Sequence, residues 1–410
     1  MVKMETHFLG GASEVGSLAC LFRNNSDLML LDYGMTPSKP PEYPRPSPPV
    51  DTILLSHAHV DHSGMVPWLC GRHDTRVLAT PMTFILSELL TEDTLKVAEY
   101  EGYPRPYQTG DIERMRENFE PFHFGDVIEV GDTEVCVHSA GHIPGASMFE
   151  ILGEETVLFT GDIHTLSTEL VLGARPVHCD VLVVESTYAG RDHEMRQKVE
   201  YEFLKKIEEI SDRGGKAIVP SFAVGRTQEI LLSLAKNHFE VWLDGMGQAV
   251  NRLFLDMPEY LRSAKKLRRA LRRTRMVRSP RAREKALRGD VVVCTSGMLD
   301  GGPVLEYINR VKRDKKSGIL LTGYQVEGTN GRLLMDEGKI DLYGVVQDVE
   351  CEVSFFDFSA HAGHSELLRF IEGCDPAKVV YCHGDNREAL ASQVEDRENI
   401  LPVEGEWSEL

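Results

Sequence analysis

The apolar run Thr52-Ile53-Leu54-Leu55 leads straight into Ser56-His57-Ala58-His59-Val60-Asp61-His62-Ser63-Gly64, so a buried strand ends in three histidines and an aspartate within six positions. Side chains alternate across a strand, so His57 and His59 leave its end on one side and can grip a single ion. Asp61 and His62 then face a second ion nearby. Imidazole nitrogen with carboxylate oxygen suits zinc first and manganese second. The competing reading is a surface loop with incidental metal affinity, and it requires no partners elsewhere in the chain.

Partners are present, each at the end of an apolar run that reads as a buried strand. His142 sits in Ser139-Ala140-Gly141-His142-Ile143-Pro144-Gly145, where the glycines permit a tight turn. Asp162 follows Val157-Leu158-Phe159-Thr160-Gly161 and is placed to bridge two ions. Asp32 ends Leu28-Met29-Leu30-Leu31 and is better suited to orienting a liganding histidine through a hydrogen bond than to binding metal itself.

These four elements resemble the successive motifs of the metallo-β-lactamase superfamily. The resemblance implies an α/β fold, an αββα sandwich with a two-metal hydrolytic site. His57, His59 and His142 would hold one zinc and Asp61 and His62 the other, with Asp162 bridging. Asp61 also counts among the catalytic residues. The superfamily alone leaves the substrate open.

Three further elements resemble the β-CASP branch, whose members act on RNA or DNA. They are Glu185 in Glu185-Ser186-Thr187-Tyr188, His361 in Phe358-Ser359-Ala360-His361-Ala362, and His383 in Tyr381-Cys382-His383-Gly384. A histidine at the last position is typical of the RNA-acting members, and His383 would join the metal ligands. The wording of Pro220-Ser221-Phe222-Ala223-Val224-Gly225-Arg226, Ser296-Gly297-Met298 and Gly323-Tyr324-Gln325-Val326-Glu327-Gly328-Thr329 is similar to cleavage and polyadenylation specificity factor nucleases and their archaeal relatives. No N-terminal RNA-binding extension of the KH type is expected ahead of Met1.

The resemblance implies a zinc-dependent ribonuclease with two Zn2+ per chain, Mn2+ being the alternative. It would cleave single-stranded RNA to 5′-phosphate and 3′-hydroxyl ends as a 5′ to 3′ exonuclease or an endonuclease. His361 would give a proton to the leaving 3′ oxygen, and Glu185 would hold that imidazole. Arg226 and Gln228, which open a helix, and Ser296 and Tyr324, just beyond strand ends, are weaker candidates for RNA contact. His193 is placed for support or for substrate. Two other classes stay open: a non-catalytic RNA-binding subunit of a processing complex, and a dinuclear hydrolase of small esters or thioesters. A homodimer and association with other RNA-processing proteins are further expectations.

The 410 residues suffice for two cores, and 42% of them are hydrophobic. No apolar run approaches ~18 residues and no signal pattern opens the chain, so no membrane partner and a cytoplasmic location are expected. Eight cysteines without a C-x-x-C pair read as reduced core thiols. Cys382 beside His383 is a further ligand candidate, disfavoured because thiolate is unusual in a carboxylate-rich site. Gly214-Gly215-Lys216 lacks the rest of a phosphate loop and reads as a helix stop.

A formal charge of −19 sits oddly with a polyanionic substrate, but the charge is uneven. Arg262 to Arg288 carries Glu284 as its only acid. This stretch is either a basic footprint for phosphates or a solvated helix face with Leu261, Leu267 and Leu271 turned inward.

In outline, residues 1–188 read as the first part of the sandwich, with a Pro-rich loop from Pro37 to Pro49 and a helical stretch from Asp93 to Glu117. Residues 189–350 alternate helices with strands, which predicts an inserted β-CASP domain on a mostly parallel sheet. Residues 351–410 complete the sandwich and return His361 and His383 to the site.

Overall fold

The computed structural model describes residues 4–410. The chain forms two compact units, one comprising residues up to Ser167, Leu172–Asp192 and His361–Leu410, the other Thr168–Val171 and His193–Ala360.

The first unit is a sandwich of two seven-stranded sheets. One runs, edge to edge, through Trp407–Glu409, Met4–Gly10, Ala19–Asn24, Asp27–Leu31, Thr52–Leu54, Arg76–Ala79 and Phe119–Pro121. The other runs through Glu398–Ile400, Lys378–Cys382, Val181–Glu185, Val157–Phe159, Ser147–Ile151, Thr133–Ser139 and Val127–Val130. In each sheet an antiparallel half joins a parallel half.

The inner parallel strands are largely apolar because both of their faces are covered. Met29, Leu31, Leu54 and Leu78 point into the core between the sheets with Phe149, Val157 and Val183. Leu30, Ile53 and Val77 point the other way, against Val66, Leu69, Phe84, Ile112 and Met115 of the outer helices. With the helix His364–Cys374 burying Leu367, Phe370 and Ile371, this gives the expected αββα layering.

Helix placement differs from expectation in one stretch. The helix Pro81–Glu101 starts twelve residues before Asp93 and stops at Gly102, and a second helix covers Thr109–Glu117. Thr80 caps the first by accepting from the Thr83 N–H, and Gly102 closes it in the left-handed conformation at φ 74°.

The second unit is built on a six-stranded sheet in the order Thr274–Met276, Val241–Asp244, Val291–Cys294, Ala217–Pro220, Gly318–Leu321, Glu352–Phe355. Every pair in it is parallel. Val304, Tyr307, Ile308 and Val311 from one helix and Leu334 from another pack on this sheet. Glu352–Phe355 is its edge strand, so the chain returns to the sandwich at His361, ten residues later than the expected position 351. Within the first unit the two ends of the insertion are tied together: His364 N–H donates to the Arg191 carbonyl at 2.8 Å, and the Ser365 hydroxyl donates to Asp192 at 2.6 Å.

Candidate active site

The ends of the parallel strands build the site. Asp32 follows the strand ending at Leu31, His57 follows Leu54, Asp162 follows Phe159, Glu185 ends its own strand, and His383 follows Cys382. All lie at carboxyl ends, where open α/β sheets present functional groups. Asp32 and His383 hold left-handed backbone at φ 59° and 50°. For residues with a Cβ this conformation costs about 1–3 kcal/mol and marks functional positions.

One donor cluster consists of His57, His59, His142 and Asp162. His57 Nε2 is 3.2 Å from His59 Nδ1, and His142 Nε2 is 3.0 Å from the same atom. Asp162 Oδ2 stands 3.5 Å from His57 Nε2 and 3.8 Å from His142 Nε2. The second cluster consists of Asp61, His62 and His383. Asp162 reaches it with its other oxygen: Oδ1 is 3.3 Å from His62 Nε2 and 3.1 Å from His383 Nδ1. His383 Nε2 lies 3.7 Å from Asp61 Oδ2 and accepts the Gly16 N–H at 3.2 Å. Asp162 therefore faces both clusters.

Behind the second cluster, Asp32 accepts from His62 Nδ1 at 2.7 Å, which leaves Nε2 turned toward Asp162. Asp32 is also bound by the Ser56 N–H at 2.7 Å and the Ser56 hydroxyl at 2.6 Å. Ser56 lies 3.1 Å from His57 Nδ1 as well. It links the supports of the two clusters, a role the sequence reading missed although Ser56 directly precedes His57.

Glu185 is buried and accepts the Ile163 N–H at 2.8 Å. Both its oxygens lie 3.2 Å from His361 Nδ1. Asp162 Oδ2 is 3.9 Å from the same nitrogen.

Four carboxylates, Asp32, Asp61, Asp162 and Glu185, thus meet among histidines. Among the described residues no Lys or Arg makes an ion pair with any of them. Buried carboxylates without cations are costly. Burial opposes charge on His62, but Asp162 and Asp32 outweigh it and hold its pKa well above the usual value. Burial, then the neighbouring His62, pushes His57 well below the usual range. Burial also lowers His59, so these two imidazoles are neutral, as metal ligands must be. Burial likewise opposes charge on His361, yet Glu185 and then Asp162 raise its pKa to about 9.

The donor set fits metal. Ligands around a tetrahedral ion with ~2.1 Å bonds stand about 3.4 Å apart, and the 3.0, 3.2, 3.5 and 3.8 Å separations of the first cluster bracket that value. His62 Nε2 and Asp162 Oδ1 are buried without a hydrogen-bond partner, as groups reserved for an ion would be.

The remaining candidates are scattered. Gln228 is fully buried, and its amide donates to the Ala223 carbonyl at 3.2 Å, so it anchors its own loop and presents nothing to RNA. Arg226 donates to the Thr322 carbonyl. Arg226, Ser296 and Tyr324 are partly exposed in the second unit. His193 Nδ1 pairs with Asp357 at 2.7 Å. Cys382 turns its thiol into the core toward the Val184 carbonyl, away from the donor atoms. All eight cysteines are free, and all but Cys136 are buried.

A model of the metallo-beta-lactamase superfamily matches residues 13–217. The sequence is 36% identical to a probable RNase of Methanocaldococcus jannaschii, over 94% of each chain. The chain belongs to the metallo-β-lactamase superfamily. Within it this is a β-CASP protein, since the Beta-Casp domain model matches residues 227–334. A model of the Zn-dependent metallo-hydrolase RNA specificity domain matches residues 346–397. This β-CASP chain is also 34% identical to RNase aCSPSF2 of Saccharolobus solfataricus, covering 97% of the chain and 84% of that protein. It is 31% identical to transcription termination factor FttA of Methanocaldococcus jannaschii, covering 93% of the chain and 67% of that protein. A solved structure of a protein of unknown function from Enterococcus faecalis shares the fold, with a TM-score of 0.64 at 15% identity over both whole chains.

Proposed function

We propose that this β-CASP protein is a zinc-dependent ribonuclease that hydrolyses phosphodiester bonds of single-stranded RNA, leaving 5′-phosphate and 3′-hydroxyl ends, in RNA processing or decay. The observation that carries this reading is the junction at Asp162. One carboxylate faces two clusters of neutral-capable donors and, 3.9 Å away, a histidine already paired with a buried glutamate. Two relatives bear the name RNase over almost the whole length of the chain, which supports the substrate class.

His57, His59, His142 and Asp162 would hold one ion, and Asp61, His62, His383 and the other oxygen of Asp162 a second. Bound there, such ions supply an activated water and neutralise charge on the phosphoryl oxygens. The chain's own groups do the rest. Asp32 fixes His62 by its Nδ1. Glu185 fixes His361 by its Nδ1 and favours the protonated imidazole, whose Nε2–H would donate to the leaving 3′ oxygen. Glu185 is itself held by the Ile163 N–H, which restricts the orientations open to the imidazole.

A non-catalytic RNA-binding subunit would have no use for a filled donor set backed by Glu185 and His361. Among the described residues no helix is long and apolar enough to cross a membrane. Action in the cytoplasm, a homodimeric state and work alongside other RNA-processing proteins belong to the same proposal.

The test is cleavage of two RNAs by the metal-loaded protein, one linear with a 5′ monophosphate and one circular, beside a His361→Ala control. Mononucleotides from the linear RNA alone establish an exonuclease, and cutting of the circle establishes an endonuclease. Absence of His361-dependent cleavage of either RNA overturns the proposal.

A further inference from the structure

The basic stretch folds as the helix Ala264–Arg273, the short strand Thr274–Met276 and the helix Pro280–Ala286, all in the second unit. Ser263 caps the first helix, and Leu267 and Ala270 are its buried positions. Lys265, Arg268, Arg269 and Arg272 fall at i, i+3, i+4 and i+7 and are all exposed. Residues so spaced share one helix face, here a stripe about 10 Å long at 1.5 Å rise per residue.

The neighbouring cations are engaged. Lys266 pairs with Glu169 at 2.7 Å, Arg273 donates to the Ala235 carbonyl at 2.7 Å, and Arg275 lies 3.4 Å from Glu240 and over the Trp242 ring. Among the described residues none of the four stripe cations has an ion pair. A merely solvated face in so acidic a chain looks different. On the helix Arg196–Asp212, Lys198 lies between Glu194 and Glu202, and Lys205 reaches Glu209. The helix dipole favours Arg272 in the last turn but opposes Lys265 in the first, and like charges at i, i+4 repel. The dipole thus helps one end of the stripe and hinders the other while the mutual repulsion remains, and the segment of 27 residues around it holds thirteen Lys and Arg against one acid.

We propose that Lys265, Arg268, Arg269 and Arg272 form a phosphate-gripping surface for the backbone of single-stranded RNA, built wholly from residues of the second unit. The proposal rests on the ribonuclease reading. Three of the four residues are arginine, whose planar fork suits phosphate oxygens. Contacts of this kind release counterions and carry no sequence preference. The surface raises affinity for long RNA and leaves the chemical step alone.

The test compares steady-state cleavage of long polyuridine and of a short oligouridine by the metal-loaded wild type and by the variant K265Q/R268Q/R269Q/R272Q. For long RNA the variant should show a KM raised about tenfold or more and a log–log salt slope flattened by about 3, from ~0.7 per lost phosphate contact. Its kcat on long RNA and its kcat/KM on the short oligomer should match wild type. The double variant R268Q/R272Q, less exposed to any folding defect, should show about half the change in slope. The arginine-to-lysine variant R268K/R269K/R272K should keep most of the slope. Unchanged KM and slope in both Gln variants overturn the proposal, as does an equal loss on short and long RNA. If polyglutamate binding is lost while RNA kinetics hold, the surface serves an acidic protein and the proposal fails. If wild type cleaves no RNA at all, the ribonuclease reading has failed first, a result distinct from either.

Discussion

Asp32 and His62 are joined by a 2.7 Å hydrogen bond between two fully buried side chains, and the bond decides which imidazole nitrogen faces the donor clusters. Asp32→Asn keeps the shape but removes the charge and exchanges one acceptor oxygen for a donor. Metal affinity should fall by about 10–100-fold, read by competition with a chromogenic chelator. Unchanged affinity would show that Asp32 serves only to hold the Ser56 loop.

Glu185 acts through His361, so their variants should behave alike. His361→Ala and Glu185→Gln should each lower kcat by about 10²–10⁴ with metal content unchanged by elemental analysis. The double variant should be little worse than either single one, because the two groups act as a unit. Full multiplicative loss in the double variant would refute the coupling.

Within the second unit, the Tyr307 hydroxyl donates to Asp244 at 2.9 Å, and Arg283 reaches the same oxygen at 2.8 Å. Both Tyr307 and Asp244 are buried. Tyr307→Phe removes one charge-assisted hydrogen bond from a buried carboxylate and should cost about 1.5–3 kcal/mol. A lower urea midpoint at unchanged m-value is the expected signature.

Glu352 fastens the edge strand of the second unit. Lys206 and Arg213 each reach one of its oxygens at 2.6 Å. The Lys206 hydrogen bond, opposed by burial and joined by Arg213, holds the Glu352 carboxyl below the usual glutamate range. Its folded pKa is depressed, so the stabilisation is complete above the unfolded value of about 4.3 and is lost as pH falls through the folded value. Glu352→Gln should lower Tm at neutral pH by a small amount, for a contribution of about 0.2–1 kcal/mol. Calorimetry toward pH ~3 should show the deficit closing; a deficit independent of pH would contradict this account.

The residues that meet in the donor clusters were legible because their spacing is local: His57, His59, Asp61 and His62 lie within six positions, and each distant partner ends an apolar run. The parallel sheet of the second unit was legible for the same reason, since strands such as Val291–Cys294 are apolar throughout. What escaped depends on the third dimension. Gln228 opens a helix as expected, but its side chain is fully covered, and no residue near it in sequence reveals the cover. The strand Glu352–Phe355 is a partly exposed edge, so it lacks the continuous apolar signal of its neighbours and was assigned to the wrong side of the boundary. The helix Pro81–Glu101 buries Met82, Phe84, Leu86 and Leu95 on more than one side, which blurs its period. Ser56 was passed over because a serine beside a histidine carries no signal until Asp32 is folded against it.

The 168 residues from His193 to Ala360 stand between Glu185 and the histidine it holds. During synthesis, His361 and His383 therefore leave the ribosome only after the whole second unit has been made. The strands Lys378–Cys382 and Glu398–Ile400, which extend the sheet beyond Val181–Glu185, come later still. A chain stopped before residue 361 carries the histidine-rich motif but neither His361 nor His383. The order of the gene thus supplies Glu185 and the histidine-rich motif first, and their partners His361 and His383 only after the second unit.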